Sequence, residues 1–174
     1  MNPVAKLSDL VASLDMQNPE NKVYFDRQTA EIVLLDESLL SAAEEEDDDE
    51  ECLEDVPEWQ REQAEIAREI VADENDRFID PPDKFEFHEY RHMEEFIETL
   101  DNVRAANELA RAIRGSGAFG RFKGTLARFD LLDDWYKYRD NAMKEFAIEW
   151  AEENNVAYED DLGPKMKAAN KQRK

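Results

Sequence analysis

His88-Glu89-Tyr90-Arg91-His92 reads as H-E-x-x-H and contains both histidines of this 174-residue chain. On a helix that spacing places two imidazoles on one face, where they can bind zinc while the Glu serves as general base. A zinc hydrolase acting through His88, Glu89 and His92 is therefore one chemistry to weigh, and two features oppose it. No third histidine exists, so a carboxylate would have to complete the site. At about 100° per residue, Glu89 falls in the apolar sector of Met93, Phe96 and Leu100, and His88 falls outside it. A carboxylate on an apolar face needs a partner. An arginine from the 114–128 segment is the natural one, which makes Glu89 half of a structural ion pair. No metal ligand set and no cofactor are expected.

The second candidate is the turn at 114–123. Between Arg104 and Arg128 stand six basic residues (Arg104, Arg111, Arg114, Arg121, Lys123, Arg128) and one acidic residue, Glu108. Gly115 and Gly117 let the backbone turn tightly. A helix starting near Ser116 or Gly117 would direct its free N–H groups and positive dipole end into the turn. Arg114, Ser116, Gly117, Arg121 and Lys123 thus form a candidate anion site for a phosphate, a carboxylate or an acidic peptide. The spacing matches neither a P-loop nor a dinucleotide fingerprint. The blander alternative is that the glycines only permit two helices to pack, while the arginines pair with the protein's own carboxylates.

Phe119, Phe122, Phe129, Trp135, Tyr136, Tyr138, Phe146 and Trp150 form an aromatic set near basic residues, which can stack bases. At helical spacing such residues are more often core. No Ser/His/Asp triad or Cys/His pair is available for nucleophilic catalysis, and no catalytic residue is assigned. Cys52 is the only cysteine, so no intramolecular disulfide can form. Acidic neighbours disfavour its thiolate, and it reads as an inert thiol in a reducing compartment.

The elements that must position these groups follow from periodicity. Val4, Leu7, Val11 and Leu14 predict a short N-terminal helix ending before Pro19. Lys22–Phe25 and Glu31–Leu35 predict a hairpin around Asp26-Arg27-Gln28-Thr29-Ala30. Pro57 opens a helix with Trp59, Ile66, Ala67, Ile70 and Val71 on its stripe, and Asp80-Pro81-Pro82 ends it. Asp83 with Glu86 has the form of a capping box for a helix carrying Met93, Phe96, Ile97 and Leu100. Asp101-Asn102 marks a bend before Val103, Ala106, Leu109, Ala110 and Ile113. Phe119, Phe122, Leu126 and Phe129 begin the next helix. Asp133 is placed as cap of the last one, striped by Trp135, Tyr138, Ala142, Phe146 and Trp150. The expected class is mainly α: a domain of about five helices with a small N-terminal helix and β-hairpin.

Charge divides the chain further. The net is −22, and residues 1–80 hold 6 Lys/Arg against 25 Asp/Glu. Glu44 to Glu51 is an unbroken acidic run, which favours a solvated, extended segment. The expected organisation is residues 1–40 as helix and hairpin, 41–56 as an acidic flexible linker, 57–155 as the helical domain, and 156–174 as a disordered basic tail. The chain as a whole repels nucleic acid and anionic membrane and attracts basic partners. No apolar run approaches the ~20 residues of a membrane span and no signal peptide is evident, so a cytoplasmic location is expected.

His88-Glu89-Tyr90-Arg91, Met93-Glu94, Phe96-Ile97, Ile113-Arg114-Gly115-Ser116-Gly117-Ala118-Phe119, Arg121-Phe122-Lys123 and Trp135-Tyr136 together resemble a bacterial uncharacterised protein family, number 0158. The first helix and the Tyr24-Phe25-Asp26 hairpin are similar to its start. The resemblance covers most of residues 5–155. It implies a glycine where this chain has Ala30 and an arginine where it has Gly120. It brings no activity with it.

Three functional readings stand at this point. The first is a non-enzymatic acidic interaction or regulatory protein that binds a partner protein with a basic surface. The second is an anion- or phosphate-recognising helical domain, an enzyme among its options, using the Arg114–Lys123 turn. The third is the zinc hydrolase. Composition leaves the oligomeric state open.

Overall fold

The computed structural model describes residues 2–45 and 57–163. They divide into two compact units: residues 1–84 with 147–162, and residues 85–146 with 163–174.

The first unit opens with a two-residue strand, β1 (Ala5–Lys6), and helix α1 (Leu7–Met16), whose inward residues are Leu7, Leu10, Ser13 and Leu14. β2 (Asn21–Asp26) and β3 (Glu31–Asp36) form the antiparallel hairpin, with Tyr24 opposite Val33 and Asp26 opposite Glu31. The turn closes through Ala30 N–H onto Asp26 C=O at 2.7 Å. Ala30 sits at φ 59°, in the left-handed region. Helix α2 (Glu37–Glu45) follows at once. Leu39, Leu40 and Ala43 are its buried residues, and they supply the apolar contacts that hold it.

A 3-10 turn over Glu58–Gln60 leads into α3 (Arg61–Val71), which packs Ala64 and Ala67 into one core with Leu35, Leu39 and Ala43. Strand β4 (Phe78–Ile79) adds a third strand to the sheet, pairing with Phe25 and Asp26 of β2. The unit is completed from far along the chain. The last residues of helix α8 (Leu132–Glu153) bring Ala147 and Ala151 against Leu7, Leu10 and Phe25. Strand β5 (Tyr158–Glu159) then pairs in parallel with β1.

The second unit is helical among its described residues. α4 (Lys84–Phe87) is a single turn, separated by His88 from α5 (Glu89–Glu98). α6 (Val103–Ala112) is capped by the Asn102 side chain, which accepts from Ala105 N–H at 3.1 Å. α7 (Ala118–Arg128) and the start of α8 complete the set. Met93, Phe96, Leu109, Ile113, Phe122, Leu126 and Trp135 form its core. The aromatic rings meet edge-on, Phe96 and Phe122 lying 5.4 and 5.0 Å from Trp135.

The mainly α class with a small sheet stands. Four boundaries differ from the sequence reading. Residues 41–45, expected in the linker, are helical in α2; the rest of the acidic run and Cys52 lie outside the described residues. Residues 156–163, expected in the disordered tail, include β5; the tail beyond 163 is not among the described residues. α3 belongs to the unit that holds the hairpin and not to the second helical unit. Asp133 lies inside the first turn of α8, not before it. Including the short α4 and the 3-10 turn, the described part of 57–155 also holds more helical segments than five.

Candidate functional site

The α6–α7 turn is built by two glycines and one arginine. Gly115 and Gly117 sit at φ 76° and 74°, where a side chain is disfavoured. A Cβ at Gly117 would also come within 3.2 Å of Arg121 Nη1. The Arg121 guanidinium turns back on this loop. Its Nε donates to Ala112 C=O at 2.9 Å, Nη1 to Ser116 C=O and Nη2 to Arg114 C=O. These are carbonyls that the end of α6 and the turn leave without helical partners. Arg128 pairs with Glu108, and Arg104 approaches the same carboxylate at 3.6 Å.

Arg114, Ser116, Gly117, Arg121 and Lys123 are therefore brought to one turn, but in unequal roles. Arg121, placed in the anion set by sequence, directs its donors at backbone. Arg111, Arg114 and Lys123 are exposed and join no ion pair among the described residues. A single feature of the sequence, basic residues around Gly-x-Gly, thus separates into a structural clamp and a set of outward cations.

The H-E-x-x-H segment takes a different form from a zinc helix. His88 is the residue before α5, at φ 51°. The His92 ring stacks on Phe87 at 4.3 Å, with Nδ1 3.6 Å from Glu95. Glu89 accepts from Arg139 Nε at 2.6 Å, both side chains mostly buried. No group of three or more His, Cys, Asp or Glu able to hold a metal is present among the described residues. The partner of Glu89 is thus on α8 and not on the 114–128 segment. The reason is visible on α7: its inward residues are Phe122, Thr125 and Leu126, while Arg121 and Arg128 are already engaged. Tyr138, one residue before Arg139, has its hydroxyl pushed above the usual phenol range. Burial is the main cause, followed by its hydrogen-bonded neighbour Glu95 and then Glu98.

Sequence reasoning missed a buried ion pair in the first unit. Asp26 is 3% exposed. Arg77 grips it with two parallel bonds, Nε and Nη2 each at 2.9 Å, and reaches Glu69 with Nη1 at 3.1 Å. Burial pushes the Asp26 carboxyl up. The Arg77 hydrogen bond, the Gln28 N–H and the Arg77 charge outweigh it and hold the group below the ordinary carboxylate range. Asp73 fixes the loop before β4 by accepting from Asn75 and Phe78 N–H. An open cleft of about 610 Å³ lies between this loop and the hairpin turn. A buried Asp next to a turn arginine, with a second arginine 51 residues away, leaves no local signal in sequence.

The described residues form a mainly helical protein with a small sheet. The chain belongs to the uncharacterised protein family UPF0158, whose model matches residues 1–172. It is similar to UPF0158 protein PA5073 of Pseudomonas aeruginosa, 32% identical over 65 residues, which cover 37% of this chain and 42% of that one. The matched stretch thus spans less than half of that relative's length. No solved structure matches the chain. Among the described residues, no helix is long and apolar enough to cross a membrane.

Proposed function

We propose that this is a non-enzymatic interaction protein whose first unit meets a basic surface on a partner protein. The observation that supports it is the division of charge between the two units. The residues of the first unit hold 7 Lys/Arg against 32 Asp/Glu, a formal net of −25; those of the second hold 15 against 12, a net of +3. A charge so concentrated steers association with cations and raises encounter rates. Trp59, 75% exposed just before α3, offers an aromatic anchor of the kind that dominates interface energies.

The test is capture of partners on the full chain at low and high salt, beside a variant in which Glu44 to Glu51 are all replaced by Gln. Basic proteins should be enriched at low salt, released at high salt and depleted on the variant. An unbiased set, equal on both chains, would sink the reading. Stoichiometric co-purification of a phosphorylated small molecule would replace it with anion recognition at the α6–α7 turn.

A further inference from the structure

The second unit carries a surface of the opposite character. On α7, Phe119, Gly120, Lys123, Gly124 and Ala127 are all exposed and recur at the spacing of one helical face. The opposite face, with Phe122, Thr125 and Leu126, is buried. Phe119 is 49% exposed. Lys123 shares this outer face, and Arg111 and Arg114 bring further cations, unpaired among the described residues, to the end of α6 and the turn. Among the described residues no packing requires small residues here, since a Cβ on Gly120 or Gly124 would meet no atom within 4 Å. Glycine weakens a helix, so this face is less stable than it could be and also lower than it needs to be.

We propose that the outer face of α7 docks an acidic helical segment of a partner protein. Phe119 supplies the apolar anchor, the glycines let the partner's backbone approach closely, and Lys123 with the turn arginines pairs with its carboxylates. The charge on the face selects the occupant. A second copy laying its own α7 here would bring Lys123 near Lys123, which is repulsive. A nucleic acid carries far denser charge than an acidic peptide and is repelled the more strongly by a molecule of net −22. This contact is independent of the acidic surface assigned to the first unit.

The experiment measures binding of the full chain to a fluorescent amphipathic peptide of repeated Glu, Ala and Leu, with a Lys-for-Glu peptide and a single-stranded oligonucleotide as comparisons. The acidic peptide should bind at least tenfold more tightly than either. Gly124→Gln should weaken that binding at least tenfold while raising the melting temperature. Lys123→Glu should weaken it by a similar factor and flatten its salt dependence. Four results would overturn the proposal: no acidic-peptide binding, native affinity in Gly124→Gln, a lower melting temperature in that variant, or preference for the oligonucleotide. Dimerisation of the native chain that Gly124→Gln abolishes would assign the face to a second copy instead.

Discussion

The two units hold themselves together by different means. The first gathers mostly aliphatic groups, with Ala5, Leu7, Leu10, Ala30, Ala147 and Ala151 around the buried Phe25 ring and Trp150 edge-on to it at 5.3 Å. Polar ties between distant residues supplement it: Arg77 on Asp26, Gln17 on Pro82 C=O at 2.6 Å, Trp150 Nε1 on Asp80 C=O at 3.1 Å, and Ser8 on Asp161. The second is an aromatic core under α-helices, where Trp135 meets Phe96, Phe122 and Tyr138. A chain segment rich in like charge gains less from burial, and specific ties fill the gap. In the second unit the polar ties, Arg139 on Glu89 and Arg121 on the turn carbonyls, stand beside rings packed at helical spacing.

The largest expected effect is in the aromatic core. Trp135→Ala removes a side chain that is 2% exposed and should cost about 3–5 kcal/mol. Hydrogen exchange should show the loss in residues 85–146. Equal loss of protection throughout the first unit would break the contrast between the two.

Next is Asp26→Asn, which strands the Arg77 fork. Breaking a buried pair costs about 3–5 kcal/mol, and the lower end applies because Arg77 keeps Glu69. The pH dependence has a definite sign. The folded Asp26 pKa lies below that of the unfolded chain, so its contribution is complete above about pH 3.9. It is lost as the pH falls through that value toward the folded pKa. Acid titration of unfolding should be shallower in the Asn variant; parallel curves would mean the pair contributes little.

Glu89→Gln should cost about 1.5 kcal/mol, as expected for a charge-assisted bond in a partly buried pair. Glu94→Gln, on the exposed side of the same helix, should stay within about 0.5 kcal/mol. A double-mutant cycle should couple Glu89 to Arg139 and not to Arg121. Coupling to Arg121 would restore the partner that sequence favoured.

The smallest effect sharpens the comparison at the hairpin. Ala30→Gly relieves a left-handed residue, worth about 1–2 kcal/mol, but removes a buried methyl worth about 0.8 kcal/mol. Urea unfolding should show a net gain of about 0.5 kcal/mol. A loss would mean that the methyl's packing dominates.

What was legible in sequence was whatever a local period could carry. Lys22–Phe25 and Glu31–Leu35 are short apolar runs rich in β-branched and aromatic residues on either side of a turn sequence, and the structure extends each strand by a residue or two. α5, α6 and α7 each show a one-sided stripe. β1, β4 and β5 are two residues long and present no period at all. α2 was obscured because Leu39, Leu40 and Ala43 run directly into the acidic run, whose charge dominated the reading. The division of α8 between units was invisible because its helical pattern continues unbroken from Trp135 to Trp150. Among the candidate site residues, type and spacing brought Arg114, Ser116, Gly117, Arg121 and Lys123 to one turn. They could not say which way a long, flexible arginine would face, or that Glu89 would find Arg139.

The pairing of β1 with β5 has a consequence for synthesis. The first unit is begun at Ala5 and lacks its last strand until Tyr158 has been made. Every residue of 85–146 is translated in between. Those helices make short-range contacts, as in the Arg121 clamp five to nine residues from its acceptors, and such contacts form fast. The inserted segment can therefore fold on the nascent chain while the part synthesised first still waits for its edge. Chains released early by truncation would carry the helices of 85–146 beside an open, strongly acidic first unit.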